Sequence, residues 1–176
     1  LIFDWEVSGS GHPDLYIPFF QIGFENLRPH GVLGFITMNT FFKSINGRAL
    51  RQYFEDESIA LQILDFGGTK IFQSKSTYTC ICLLQKRESQ TIEYAQGGEE
   101  SLTENIQFQQ INYDRLNHMN GWNLQRYDLL IKIEEAGPAF GDLYRTRNGI
   151  ATLKNYIYIF DETKEDDIFY YLKNGA

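Results

Sequence analysis

Residue types that bind metals or form disulfides are scarce in this sequence, which has 2 cysteines and 3 histidines among 176 residues. Cys80 and Cys82 stand two apart in the apolar run of residues 78–84, where alternate positions of a strand share a face, so we expect buried thiols. The histidines are His12, His30 and His118. They stand far apart in the sequence, so no zinc site is expected. Thiols without a disulfide pattern indicate a reducing compartment, and we expect the cytoplasm.

Long hydrophobic runs are also lacking, because the apolar stretches fall far short of the roughly 20 residues that a spanning helix needs. No stretch has the composition of a signal peptide. We therefore expect no membrane span and no membrane partner. The sequence begins at Leu1, inside an apolar run and without an initiator methionine, which predicts an excerpt of a longer protein.

Positive charge is in short supply. The 16 Lys and Arg residues are outnumbered by 23 Asp and Glu residues, which gives a net charge of -7, and the excess of acid lies in the second half of the chain. A nucleic-acid-binding domain usually presents a basic face. Overall charge therefore argues against DNA binding unless the contact surface is local.

Apolar and aromatic residues are plentiful. Hydrophobic residues make up 43% of the chain, and the aromatic 15% includes 14 Phe and 11 Tyr. This composition supports a globular core and offers flat side chains that can stack on a planar ligand.

The first ninety residues alternate helical and strand patterns. Helical spacing of apolar residues predicts a helix from about residue 14 to 28, with Pro18 in its first turn. Residues 32–38 form a nearly continuous apolar run, typical of a strand covered on both faces. A second helix is expected over residues 46–54, with Asn46 as its cap. Strands over residues 59–66 and 77–85 are expected to pair antiparallel, as a hairpin at the sheet edge.

The second half has weaker patterns. Residues 88–120 are polar and lack a sustained period, so we predict an irregular connector. Helical spacing returns over residues 122–135, and Gly137-Pro138 ends the helix. The end of the segment from residue 149 to 160 has a β pattern.

Five segments, taken in order, carry a family resemblance. They are Asp14–Phe20, Leu27–Ile36 running into Met38–Phe42, Leu64–Gly67 with Ile71–Phe72, Tyr78–Leu84 and Arg147–Thr152. Together they resemble the adenine-N6 DNA methyltransferases of Type II restriction-modification systems that carry a TaqI-like specificity domain. The resemblance covers most of residues 12–88 and 141–160, and its specificity comes from the order of the segments.

The resemblance implies an α/β fold. It implies the C-terminal half of a Rossmann-like S-adenosylmethionine-dependent methyltransferase sheet with an antiparallel edge hairpin, followed by the start of a mixed specificity domain. Residues 1–88 would be the C-terminal part of the catalytic domain, residues 89–140 a connector with a helix, and residues 141–176 the beginning of the DNA target-recognition domain.

The implied reaction moves a methyl group from S-adenosylmethionine to the exocyclic N6 of an adenine flipped out of double-stranded DNA. Phe19 matches the family's position beside the cofactor adenine, and Phe72 matches the aromatic residue that packs on the target base. Phe19 also lies on the apolar stripe of its helix and could instead belong to the core. Phe72 stands in a polar loop, which favours function over packing. Asn39 could line the crevice at a strand end or cap the following loop.

The family's Asn-Pro-Pro-Tyr signature and its glycine-rich cofactor loop do not occur in these 176 residues. The chain alone is therefore expected to be inactive, and its own binding of S-adenosylmethionine is in doubt. In relatives, the catalytic strand lies between a segment similar to Phe3–Glu6 and the helix that follows here. We interpret Ser8–Gly11 as a bridge across a deletion, engineered or natural. The alternative is a native loop with the composition of a linker.

A local reversal of charge lies in the segment that resembles the start of the specificity domain. Arg145, Arg147 and Lys154 are its cations, and residues 145–154 include no acid. These cations could contact DNA phosphates, or they could be ordinary surface charges. The sequence therefore predicts part of a DNA methyltransferase, which could be fused to an endonuclease. The alternatives are a non-catalytic DNA- or protein-interaction module with a degenerate methyltransferase fold, and a methyltransferase that acts on protein or RNA.

Overall fold

The computed structural model describes residues 4–69, 78–103 and 105–145. The chain divides into two compact units, Leu1–Lys132 and Ile133–Ala176. Phe72, Arg147, Lys154 and the β pattern before residue 160 lie outside the described residues, so the predictions made for them stay predictions. The division into domains at residues 88 and 140 also stays a prediction.

The helices are α1 (Tyr16–Glu25), α2 (Arg48–Asp56), α3 (Tyr127–Glu135) and α4 (Phe140–Leu143). The strands are β1 (Val32–Met38), β2 (Ile59–Asp65), β3 (Thr79–Glu88), β4 (Thr91–Gln96) and β5 (Gln109–Asn112). Short 3-10 helices cover Asn39–Phe42 after β1 and Tyr113–Arg115 after β5. The predicted helices and strands of the first ninety residues are therefore confirmed in kind and order.

The five strands form one mixed sheet in the order β1-β3-β2-β4-β5. β3 pairs antiparallel with both β1 and β2, while β4 pairs parallel with β2 and antiparallel with β5. The predicted antiparallel pairing of β2 with β3 is confirmed, but its predicted place at the sheet edge is wrong. β3 lies inside the sheet because β1 takes its second edge, so that Cys80 is opposite both Thr37 and Asp65.

One face of the sheet carries the core. Phe20 of α1 lies at the centre, with its ring 4.8 Å from that of Phe35 on β1 and 5.4 Å from that of Phe54 on α2. Cys80 and Cys82 are buried in the same cluster, as predicted. On the opposite face of β1, Val32 and Ile36 are exposed. The prediction of a strand covered on both faces is thus wrong for the described residues, because α1 and α2 pack against one face only.

α2 begins without the predicted cap. Gly47 occupies the N-cap position, and no side chain bonds to the first turn there. The Asn46 side chain instead accepts a hydrogen bond from the backbone N–H of His12, at 3.1 Å. Gly47 is required on steric grounds, since a Cβ there would lie 2.3 Å from the carbonyl oxygen of Phe41.

The predicted irregular connector is in part sheet. It holds the end of β3, all of β4 and all of β5. The backbone then returns to the core through Trp122, which is buried ahead of α3. α3 begins at Tyr127, later than predicted, and ends before Gly137. The error has a physical cause, because β4 is short and partly polar and its pairing with β2 defines it as a strand.

Three buried tyrosines predict a loss of stability in alkali. Burial is the main cause that raises the pKa of Tyr53, Tyr94 and Tyr113. Above pH 10 the unfolded chain loses these protons first, so the stabilisation is complete below pH 10 and declines as the pH rises. Each tyrosine is expected to cost about 1.4 kcal/mol at pH 11. Urea denaturation at pH 8 and pH 11 measures this, and Tyr113→Phe should reduce the difference. An unchanged difference in that variant would contradict the assignment.

Candidate functional site

The candidate site lies where three strands end. β1, β2 and β4 run in the same direction, so their carboxyl ends meet at one edge of the sheet. A cavity of about 450 Å³ opens at this edge, and we call it the edge cavity. Its lining includes Asn39, Lys43, Asp65, Tyr78, Gln96 and Trp122. Ligands of α/β sheets commonly bind at such an edge. A smaller cavity of about 190 Å³ is lined by β-strand residues that include Val32 and Leu83.

Asp65, the last residue of β2, is the centre of a polar network below the edge cavity. Its side chain is 1% exposed. Oδ1 accepts from Asn39 Nδ2 at 2.7 Å and from the Gly67 backbone N–H at 2.9 Å. Oδ2 accepts from the Tyr94 hydroxyl at 2.9 Å and, at 3.4 Å, from Gln125 Nε2. Four donors therefore occupy the acceptor positions of one carboxylate.

Tyr94 is held as a donor. Burial raises the pKa of its hydroxyl, and the negative charge of Asp65 raises this pKa further. The hydroxyl therefore keeps its proton at neutral pH and points it at Oδ2 of Asp65. This neutral donor stabilises the buried carboxylate without adding charge to the cavity wall.

Two segments of the edge cavity wall, the one after β1 and the one around Trp122, are joined by a backbone hydrogen bond. The Trp122 backbone N–H donates to the carbonyl of Phe42 at 2.7 Å. Gly121, with φ +98°, permits this approach, since a Cβ there would lie 3.0 Å from both Lys43 Cα and the Phe42 carbonyl oxygen. The Trp122 side chain is buried, and its Nε1 has no hydrogen-bond partner in the described part of the chain.

The Arg51 side chain links the same two segments of the cavity wall through hydrogen bonds. Its guanidinium donates to the carbonyls of Phe41 and Ser44 on one side and to that of His118 on the other. Burial lowers the pKa of Arg51 to about 10, and neighbouring Arg48 contributes to the shift. A fork of donors on one buried side chain thus links the segment after β1 to the segment before Trp122.

The structure describes three of the predicted site residues, Asn39, Phe19 and Arg145. Asn39 lines the edge cavity and bonds to Asp65, and no side-chain cap bond is present on the 3-10 helix that it begins, so the capping interpretation is wrong. Phe19 is 53% exposed on α1 and is not part of the core formed by the described residues. It is not part of the edge cavity lining. Arg145 is exposed in the second unit.

Asp65, Tyr94 and Trp122 were not predicted as site residues. One signal in the sequence could have identified Asp65, because it is an acid that directly ends a buried strand, ahead of Gly67-Gly68. Tyr94 and Trp122 lie in or next to the segment predicted as a connector. Their sequence gives no comparable signal.

Among the described residues, no cluster of three or more His, Cys, Asp or Glu side chains could hold a metal ion. No helix in residues 4–69, 78–103 and 105–145 has the length and apolar character to span a membrane.

Residues 3–72, less than half of the chain, match the model of the Eco57I restriction-modification methylase family. The chain is homologous to the Eco57I-type restriction-modification methylases. It is 26% identical over 170 residues to the Type II restriction enzyme and methyltransferase RM.Eco57I of Escherichia coli, which covers 91% of this chain and 17% of that protein. It is 34% identical over 63 residues to the Type II methyltransferase M.BanIII of Aneurinibacillus aneurinilyticus, over 36% of this chain and 11% of that protein. The chain therefore spans less than a fifth of these relatives.

Solved structures share the fold of this Eco57I-type segment. A cryo-EM structure of a DrdV–DNA complex matches 69% of the chain and 15% of its own, with a TM-score of 0.54 and 16% identity. A nuclease-deletion mutant of the Type ISP restriction-modification enzyme LlaGI, with a DNA substrate mimic, matches 71% of the chain and 15% of its own, with a TM-score of 0.52 and 19% identity. At these identities the matches show the fold alone.

Proposed function

We propose that the protein to which this chain belongs is a site-specific DNA methyltransferase of a restriction-modification system. It would move a methyl group from S-adenosylmethionine to adenine N6 in double-stranded DNA. The observation that carries the proposal is the family match of residues 3–72, because this stretch holds β1, β2 and the polar residues Asn39 and Asp65 at their ends. We also propose that the protein acts in the cytoplasm.

The cofactor role proposed for Phe19 is supported by its exposure. A phenyl ring that stands out from α1 is available to a planar ligand, whereas a core residue is not. In the sequence, Phe72 follows Gly67 and Gly68, which line the edge cavity. We keep it as the residue that packs on the flipped base. S-adenosylmethionine would supply the methyl group as a sulfonium, and Phe19 would help to hold its adenine ring.

Double-stranded DNA is the proposed partner. The DrdV and LlaGI structures that share the fold were determined with DNA or a DNA mimic. Arg145 is exposed and free to contact a phosphate, and Arg147 and Lys154 would extend this basic segment. We propose that residues 141–176 open a specificity domain of the TaqI-like type. Phosphate contacts from so few cations would add affinity with little sequence information.

The test is to identify the methylated atom. The complete parent protein is incubated with duplex DNA and S-adenosylmethionine labelled in the methyl group, and the DNA is digested to nucleosides for mass spectrometry. We expect labelled N6-methyladenine. The 176-residue chain alone is the control and should transfer nothing, since it contains no Asn-Pro-Pro-Tyr sequence. N4-methylcytosine as the product would overturn the adenine assignment, and the absence of any methylated base would favour an interaction module.

A further inference from the structure

We propose that the segment before α3 is a conformational switch with two states. Residues 113–126 form this segment, which we call the strap. In the seated state Gln125 donates to Asp65, and in the released state α3 has moved about Arg126 and Gln125 has left the carboxylate. Because α3 continues into the second compact unit, a movement of that unit would change the hydrogen bonding of Asp65. The switch belongs to this chain, and its consequence for methyl transfer rests on the proposed function.

The first part of the strap is firmly attached. The Tyr113 hydroxyl donates to the carbonyl of Ile59 at 2.7 Å, and His118 Nδ1 lies 2.8 Å from Glu55 Oε2 of α2. The Trp122 side chain is fully buried, with its ring 6.1 Å from that of Tyr113. Residues 113–122 therefore stay with the sheet and α2, and a movement of the strap starts after Trp122.

The contact of the strap with Asp65 is weak. Gln125 Nε2 donates to Asp65 Oδ2 at 3.4 Å, which is the longest of the four hydrogen bonds that this carboxylate accepts. A bond of this length is at the limit of the useful range. The Gln125 side chain is exposed, so water can replace Asp65 as its partner. Three donors stay on Asp65 when Gln125 leaves, and the buried carboxylate remains stabilised.

Arg126 holds backbone strain in the seated state. Its φ is +52°, a left-handed conformation that residues other than glycine adopt at a cost. The Arg126 carbonyl accepts hydrogen bonds from the N–H groups of Leu129 and Leu130, at 3.0 and 3.1 Å, so its conformation sets the direction of α3. Arg126 is exposed, and the chain before it is fixed by Leu124, which is buried. Rotation of φ away from the left-handed region relieves the strain and turns α3.

α3 is loosely attached to the sheet. None of its nine residues is buried. Tyr127 packs against the core with a partly buried ring, and Asp128 Oδ1 accepts from Gln109 Nε2 at 3.1 Å at the surface. An element with so little buried apolar surface moves at a small cost in free energy. The strained joint and the weak bond to the carboxylate therefore leave the two states close in free energy.

The populations of the two states are measured by NMR relaxation dispersion on the 15N-labelled chain, at the Gln125 side-chain amide and the backbone amides of residues 124–130. Arg126→Gly removes the strain of the seated state, because glycine adopts positive φ freely, and should raise the ratio of seated to released molecules about fivefold. Arg126→Ala is the matched control. It removes the same charged side chain but keeps the strain, so the ratio should stay unchanged.

A charge beside Asp65 should shift the switch towards release. Gln125→Glu places a second carboxylate at Asp65, and we expect it to lower the ratio of seated to released molecules about tenfold. Gln107→Glu makes the same chemical change at an exposed position before β5 and should leave the ratio unchanged. In the parent protein, Gln125→Glu should lower kcat for methyl transfer several-fold, with the Kd for DNA unchanged. A merely structural role of Gln125 would not separate kcat from Kd.

Each outcome decides for or against the switch. No exchange at Gln125, or equal ratios in Arg126→Gly and Arg126→Ala, would overturn the inference. An unchanged kcat of Gln125→Glu in the parent protein would also overturn it. If the parent methylates adenine while Gln125 shows no second state, the inference alone fails. If the parent methylates no base while the chain shows both states with the expected shifts, the proposed function fails and the switch stands.

Discussion

Replacing Arg51 by methionine is expected to lower the free energy of unfolding by about 3 kcal/mol. Methionine keeps the apolar stem but leaves three carbonyls without their guanidinium donors, those of Phe41, Ser44 and His118. Part of this loss is recovered, because burial disfavours the Arg51 cation and lowers its pKa. Urea denaturation followed by circular dichroism measures the difference at neutral pH.

Arg48→Met is the matched control. Arg48 is one turn away on α2 and also donates to a backbone carbonyl, that of Met119, but its bonds are at the surface. Exposed interactions of this kind contribute little, so we expect a loss below about 1 kcal/mol. Equal losses in the two variants would show that the carbonyls bound by Arg51 find other partners. The two segments of the cavity wall would then not depend on it.

The sequence predicted helix α1 but not its buried face. Apolar residues at Leu15, Phe19 and Ile22 have helical spacing, yet Leu15 and Phe19 are exposed, whereas Ile17, Phe20 and Phe24 are buried. The cause is that residues 15–24 are apolar on nearly every side of the helix. Spacing then cannot select a face, and the contacts of Phe20 with Phe35 and Phe54 decide it.

In the sheet, too, one feature follows from nearby sequence and another depends on a distant segment. The antiparallel pair β2 and β3 was predictable, because each strand has a β-rich composition and the connection is short. The position of β3 inside the sheet depends on β1, whose Met38 pairs with Thr79. Pairing between segments so far apart leaves no signal in either one, since a strand of this composition fits an edge or an interior position.

The candidate site was predictable only where a strand end carries a polar residue. Asn39 directly follows β1, and its place in a crevice was one of two interpretations open from the sequence. Asp65 acquires its meaning from Tyr94 and Gln125, which approach it from a distant part of the chain. Trp122 reaches the edge cavity because Gly121 tolerates a positive φ. These contacts are consequences of the tertiary fold, and no local pattern encodes them.

Replacing Asp65 by alanine is expected to destabilise the chain by about 3 kcal/mol, measured by urea denaturation at neutral pH. The substitution removes a buried charge, which by itself is favourable, but it leaves Asn39, Tyr94 and the Gly67 N–H without their acceptor. The loss of several charge-assisted hydrogen bonds outweighs the relief of desolvation.

Tyr94→Phe tests one hydrogen bond of the network while the Asp65 carboxylate stays in place. It removes one donor and leaves Asn39, Gly67 and Gln125 on Asp65, so we expect a loss of about 1 kcal/mol. In the Asp65→Ala background the same substitution should cost less or even stabilise the chain, because phenylalanine buries no unpaired hydroxyl. This non-additivity measures the coupling between the two residues. Strictly additive losses would mean that Asp65 and Tyr94 contribute independently, and the carboxylate would then not be the common support of the edge cavity.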